Sequence, residues 1–126
     1  MLSDRQIVCD LDSTLCFSQS GHYSEAKPNE KAIRVLREYK QQGFDIVIYT
    51  SRNMRTYAGD VGKIAVHTLP GIITWLDKHG VPYDAVHIGK PWCGREGFYV
   101  DDKAIRPDEL VSLSYQEIRK LIGGGD

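Results

Sequence analysis

Apolar runs of strand length recur along the chain and are separated by stretches with helical periodicity. Residues 6–11 and 44–50 are rich in β-branched side chains and nearly continuous in apolar character, as buried parallel strands are. Shorter runs at 85–88 and 97–101 predict a third and a fourth strand. This alternation of strands and helices predicts an α/β fold.

Two helices are predicted between these strands. The first is expected to begin at Pro28, because proline suits the first turn of a helix, and to end at Gly43. The second is expected to begin at Pro70, with Thr68 as its N-cap, and to end at Gly80. Each helix lies between two predicted strands, as the crossover helices of a parallel sheet do.

The remaining segments complete the predicted organisation. Residues 52–67 are expected to be mostly loop, with a turn or two of helix. Ser114 and Glu117 have the spacing of a capping box, which predicts a last helix that ends near Ile122. We expect one domain over residues 1–122, followed by a flexible tail at residues 123–126.

Composition narrows the classes of function. Hydrophobic residues make up 41% and charged residues 26% of the chain, as in ordinary globular proteins, and the net charge is −1. A nucleic-acid partner or an anionic membrane would favour a basic excess, so we expect neither. Cys9, Cys16 and Cys93 show neither a disulfide framework nor zinc-ligand spacing. A reducing, cytoplasmic location is expected.

Polar side chains follow each predicted strand. Because the carboxyl ends of parallel strands meet at one edge of a sheet, we expect these side chains to converge there. Several carboxylates gathered at one site need a compensating cation, and Mg²⁺ prefers such hard oxygen ligands. An ammonium and hydroxyls beside them would receive a phosphoryl group. The converging residues are Asp10, Asp12, Thr50, Ser51, Lys90, Asp101 and Asp102.

These residues lie in four segments that resemble the four motifs of haloacid dehalogenase (HAD) phosphatases, in the family's order. Residues 10–14, Asp-Leu-Asp-Ser-Thr, are similar to the first motif, although Ser13 stands where the family often has glycine. The strand that ends at Thr50 resembles the second, Lys90-Pro91 the third and the strand that ends in Asp101-Asp102 the fourth. Further stretches, including residues 50–52, resemble small bacterial capsule-polysaccharide biosynthesis phosphatases.

The resemblance implies a role for each motif residue. Asp10 would be the nucleophile that is transiently phosphorylated, and Asp12 the general acid and base. Mg²⁺ would be the cofactor. Thr50, Ser51 and Lys90 would bind the phosphoryl group. The implied metal ligands are Asp10, Asp12 through its backbone carbonyl, Asp101 and Asp102.

The resemblance also implies the architecture. The expected fold is a HAD-like three-layer sandwich with a mainly parallel, Rossmann-like sheet of strand order 3-2-1-4. Residues 15–26 would form a helical turn and a β-hairpin flap in place of a cap domain. With so small a lid, either the site is open or a neighbouring subunit closes it, in which case Arg52, Arg55 or Tyr57 would lie near a homo-oligomer contact.

Several interpretations stay open at the level of sequence. Family analogy favours a small phosphorylated metabolite, such as a sugar phosphate, as the substrate. Arg52 and Lys63 are candidate substrate-binding residues, or side chains of a solvated loop. A receiver-like phosphoacceptor domain has a similar set of residues, but it carries its acid pair on the first strand. The remaining alternative is a non-catalytic HAD-like binding module.

Overall fold

The computed structural model describes residues 3–19 and 21–123 and contains two compact units, one ending at Trp92 and the other beginning at Cys93. The predicted tail at residues 123–126 lies, apart from Gly123, outside the described residues. No helix among the described residues has the length and apolar character needed to cross a bilayer.

A parallel three-stranded sheet forms the centre of the first unit. Its strands are β1 (Gln6–Cys9), β4 (Asp45–Tyr49) and β5 (Ala85–His87), in the order β1-β4-β5. Ile46 and Ile48 of the central strand are fully buried, as the apolar pattern predicts. The parallel sheet and the order third-second-first of its strands confirm that part of the prediction.

The helices α1 (Glu30–Gln41), α2 (Val61–His67) and α3 (Leu69–Lys78) flank this sheet. Helix α1 buries Ile33, Leu36 and Tyr39 on one face. Helix α2, about two turns long, confirms the turn or two of helix expected in residues 52–67, and Asp60 caps it by accepting the Lys63 N–H.

Two predicted helix starts are corrected by the structure. Pro28 is not in the first turn of α1, because it lies in a short strand and Asn29 caps the helix by accepting the Ala32 N–H. Thr68 does precede α3, but its hydroxyl donates to Asn53 Oδ1 at 2.7 Å and makes no cap hydrogen bond. In both cases the residue that the local pattern assigned to the helix start makes a different contact. Pro28 pairs with Cys16 in a strand, and the Thr68 hydroxyl bonds to Asn53.

A β-hairpin follows the first strand, as predicted, but its second strand lies just beyond the predicted residues 15–26. Its strands β2 (Cys16–Phe17) and β3 (Lys27–Pro28) pair antiparallel, and a 3-10 helix (Tyr23–Glu25) lies between them. We call residues 16–28 the flap. The Trp75 indole N–H on α3 donates to the Ala26 carbonyl at 3.0 Å, which attaches the flap to the helical layer.

The second unit contains α4 (Pro107–Ser112) and α5 (Tyr115–Leu121). Ser114 and Glu117 form the predicted capping box, and α5 ends one residue before Ile122. The predicted fourth strand at 97–101 is wrong, since no residue of that range is in a strand. The segment is short and begins at a glycine, and no strand of the described residues pairs with it to supply ladder hydrogen bonds.

Candidate active site

A tight turn carries the first motif away from the carboxyl end of β1. The Leu11 carbonyl accepts the N–H groups of Thr14, Leu15 and Cys16 at 2.8–3.2 Å. Ser13 has a φ of 62°, the left-handed region that favours glycine. The glycine that the family often has at this position is therefore explained by its backbone conformation. The small size of the serine side chain alone would suggest that the replacement has no effect.

Asp10 leaves this turn with its carboxylate between a hydroxyl and an ammonium. The Thr14 hydroxyl donates to Oδ2 at 3.4 Å, and Lys90 Nζ lies 3.6 Å from Oδ1. The Asp10 side chain is 37% exposed, whereas that of Lys90 is 18% exposed. A carboxylate that is oriented from one side and open on the other can act as a nucleophile or as a metal ligand.

Thr50 and Lys90 lie together because the backbone after β4 and β5 is hydrogen bonded. The Thr50 N–H donates to the His87 carbonyl at 2.9 Å, and the Lys90 N–H donates to the Thr50 carbonyl at 3.1 Å. The buried Thr50 hydroxyl accepts the Arg52 N–H at 3.0 Å, which leaves its own proton to donate to another oxygen. Ser51, which stands between Thr50 and Arg52 in the sequence, is half-buried.

Arg52 has a partner that the sequence did not indicate. Its guanidinium donates to both oxygens of Asp12, from Nη2 to Oδ1 at 2.7 Å and from Nε to Oδ2 at 3.1 Å. The same group lies 4.1 Å above the ring of Tyr23 in the flap. The Arg52 side chain is 5% exposed, so the solvated-loop interpretation does not hold for it.

Two cysteines adjoin the site, and burial makes both unreactive. Burial first, and then the neighbouring carboxylates Asp10 and Asp12, raise the pKa of Cys9 and of Cys16 to about 12. Because the thiolate is the nucleophile, thiols with such pKa values do not carry the chemistry at neutral pH. The Cys16 Sγ–H instead donates to Asp12 Oδ1 at 3.5 Å.

Three further sequence-predicted residues, Lys63, Asp101 and Asp102, are exposed. Lys63 is exposed in the first turn of α2. Asp101 and Asp102 belong to the second unit, where both are exposed and Asp101 Oδ1 accepts the Lys103 N–H at 2.8 Å. The structure thus brings together Asp10, Asp12, Thr50, Arg52 and Lys90 in the first unit.

The first unit offers a donor set that fits Mg²⁺. The Asp10 carboxylate is accessible, and the Asp12 carboxylate is held by Arg52, so Asp12 would contribute its backbone carbonyl. One or two carboxylates with a carbonyl and several waters are the usual environment of Mg²⁺ in proteins. The described residues contain no cluster of three or more His, Cys, Asp or Glu side chains that could hold a metal.

Residues 7–80, more than half of the chain, match a family model described as haloacid dehalogenase-like hydrolase. The chain belongs to the haloacid dehalogenase-like hydrolases. A target protein from Vibrio cholerae, known from a crystal structure, is similar to this HAD-like hydrolase at 52% identity and a TM-score of 0.93. The alignment covers 97% of this chain and 99% of that one.

A chain in the structure of the Pnkp1/Rnl/Hen1 complex is similar in fold, at 20% identity and a TM-score of 0.52. That alignment covers 73% of this HAD-like hydrolase and 30% of the other chain. No match was found among curated proteins. Family membership confirms the predicted resemblance to the haloacid dehalogenase superfamily, and the matched residues include the first two of the four motifs.

Proposed function

We propose that this HAD-like hydrolase is a Mg²⁺-dependent phosphomonoester hydrolase that acts through an aspartyl-phosphate at Asp10. The observation that carries the proposal is the contact of Lys90 Nζ with Asp10 Oδ1 at 3.6 Å, while the Thr14 hydroxyl donates to the other oxygen of that carboxylate at 3.4 Å. An accessible carboxylate with an ammonium and a hydroxyl next to it suits attack on a phosphoryl group, whose oxygens need positive charge and donors.

The proposed reaction has two steps at Asp10. A carboxylate oxygen of Asp10 forms a bond to phosphorus while the bond to the ester oxygen breaks and its electron pair stays on that oxygen. The leaving oxygen takes a proton from the Asp12 carboxyl. A water oxygen then attacks phosphorus and gives a proton to Asp12, and the bond to Asp10 breaks, which restores both side chains and releases phosphate.

Thr50, Ser51 and Lys90 are the proposed phosphoryl-binding residues. The proposed Mg²⁺ ligands are the Asp10 carboxylate and the Asp12 carbonyl, with Asp101 and Asp102 as further ligands on the strength of the motif resemblance. The ion would neutralise charge on the phosphoryl oxygens. Lys90, which is largely buried beside Asp10, would supply a fixed positive charge at the same group.

The acid two residues after the nucleophile favours a phosphatase over other HAD chemistries. Superfamily dehalogenases and ion pumps resemble the first motif but lack an acid there, and a general base speeds hydrolysis of the phosphoenzyme. Asp12 keeps about a third of its side chain exposed, which supports access by water.

The proposed substrate is a small phosphorylated metabolite such as a sugar phosphate, in a cytoplasmic setting and with a role in capsule polysaccharide synthesis. The flap is short, which supports the idea that a second copy of the chain completes the wall of the site. Light scattering with a panel of phosphate esters tests this: a monomer with strict selectivity for one small ester would contradict it.

Phosphate release from p-nitrophenyl phosphate tests the proposed chemistry. We expect multiple turnovers with Mg²⁺, none with excess chelator and none in Asp10→Asn, while the exposed Asp4→Asn serves as a matched control and keeps full activity. A receiver-like domain would instead retain one phosphate per chain from a small phosphodonor, and a binding module would release none. Full activity of Asp10→Asn would refute the mechanism.

A further inference from the structure

The carboxylate of Asp12 is gripped in a fixed orientation by a buried arginine. The two hydrogen bonds from Arg52, at 2.7 and 3.1 Å, make a bidentate fork that a single-point donor cannot reproduce. Such a fork stops rotation of the carboxyl group about its terminal bond. The orientation of the Asp12 carboxylate is therefore fixed before a substrate binds.

Arg52 is itself held on three sides. Its backbone N–H donates to the Thr50 hydroxyl, and Nη2 also lies 3.7 Å from Cys16 Sγ, within donor distance of sulfur. The Tyr23 ring covers the guanidinium at 4.1 Å, a cation–π contact. Tyr23 belongs to the flap, and Thr50 follows the central strand. Because Arg52 contacts both, it links the flap to the edge of the sheet.

The hydrogen bonds leave one oxygen of Asp12 available for proton transfer. Each carboxylate oxygen has two lone pairs. On Oδ1 they meet Arg52 Nη2 and the Cys16 Sγ–H, whereas on Oδ2 the hydrogen bonds of the described residues engage only one, through Arg52 Nε. With 34% of the Asp12 side chain exposed, that second lone pair of Oδ2 is the one that can carry a proton.

We propose that Arg52 is a positioning residue that aims Oδ2 of Asp12 at the leaving oxygen, and that Tyr23 of the flap keeps Arg52 in place. This rests on the proposed function, because Asp12 must be the acid and base of that reaction. The proposal differs from a substrate-binding role for Arg52. The Arg52 side chain is 5% exposed, and its guanidinium already donates both hydrogen bonds of the fork to Asp12.

The two roles predict different kinetics for Arg52→Gln. A positioning residue is needed when the leaving oxygen requires a proton, so kcat/KM, which reports the phosphorylation of Asp10, should fall by about 10²-fold for an alkyl phosphate and much less for p-nitrophenyl phosphate. A substrate contact would instead raise KM for both esters. Arg52→Lys keeps the charge without the fork and should restore little of the alkyl phosphate rate, while the exposed Arg34→Gln is the matched control.

A double-mutant cycle with Asp12→Asn tests whether Arg52 acts through Asp12. If it does, the double variant should hydrolyse the alkyl phosphate as slowly as Asp12→Asn alone, because nothing is left to position. Multiplied losses would overturn the proposal. The same cycle in thermal melts without Mg²⁺ gives a readout apart from activity: the Tm losses of the two single variants should sum to more than that of the double variant.

Tyr23→Leu keeps the test decisive should Arg52→Gln fail to fold. It removes the ring above the guanidinium from a half-buried flap position and should reproduce the leaving-group dependence in weaker form. Equal losses for both esters in Arg52→Lys and Tyr23→Leu would overturn the positioning role while leaving the phosphatase intact. A wild-type protein that hydrolyses neither ester would overturn both proposals.

Discussion

The indole N–H of Trp75 donates to the carbonyl of Ala26 at 3.0 Å, with both residues buried. One residue lies on α3 and the other at the base of the flap, next to strand β3. By its position in a helical pattern Trp75 is a packing residue, and the structure adds that its one polar atom anchors the flap. The flap in turn carries Tyr23, which covers Arg52.

We expect Trp75→Phe to loosen the flap and to destabilise the protein by about 1–3 kcal/mol. The substitution keeps an aromatic ring but leaves the buried Ala26 carbonyl without its donor. Urea unfolding measures the loss, and limited proteolysis should show faster cleavage within residues 17–27. Trp92→Phe, at an exposed ring, is the control. Equal unfolding midpoints for the two variants would contradict the anchoring role.

Replacing Lys90 should weaken the proposed phosphoryl site. Lys90→Met removes the ammonium beside Asp10, and we expect kcat/KM for phosphate esters to fall by about 10²-fold or more. Lys78→Met, an exposed lysine in the last turn of α3, should leave the rate unchanged. A Lys90→Met enzyme with the wild-type rate would mean that the 3.6 Å contact has no part in the reaction.

Ser13→Gly should stabilise the protein, although most substitutions by glycine do the opposite. A non-glycine residue with a φ of 62° is strained by about 1 kcal/mol, and glycine relieves this at some cost in unfolded-state entropy. We expect a higher urea midpoint, with a gain of up to about 1 kcal/mol. Ser24→Gly, in the 3-10 helix, should lower the midpoint. A fall for Ser13→Gly would show that the turn does not hold this conformation.

The stability of the sheet should depend on pH through Asp84, which precedes β5. A hydrogen bond from Lys40 at 2.7 Å, and then the Ile46 N–H at 2.8 Å, hold the pKa of the Asp84 carboxyl below its ordinary value of 3.8. Its stabilising contribution is therefore present at neutral pH and is lost as the pH falls below about 3.8 and through the folded-state pKa.

Asp84→Asn should accordingly destabilise the protein at pH 7 by about 1 kcal/mol or less, as for an exposed ion pair, and by less near pH 3. Thermal melts across this range measure the difference. Asp45→Asn is the matched control, since Asp45 lies 3.7 Å from the same ammonium and should matter less. A difference between Asp84→Asn and wild type that grows toward low pH would contradict the assignment.

The sequence by itself determined the parts of the molecule that depend on local pattern. Runs rich in β-branched residues predict β1 and β4 because such side chains favour an extended backbone, and the capping box at Ser114 predicts α5 because its hydrogen bonds are local. The convergence of Asp10, Thr50 and Lys90 follows from the same rule, since parallel strands end at one edge of the sheet.

Only the tertiary structure decided which partner each polar group takes. Arg52 stands two residues after Thr50, so its place near the sheet edge was predictable, but its pairing with Asp12 is set by two loops 40 residues apart. Long-range contacts also direct the Thr68 hydroxyl to Asn53 and the Trp75 indole to Ala26. The residues predicted as a fourth strand show the same limit, because an apolar run is a strand only where another strand supplies its hydrogen bonds.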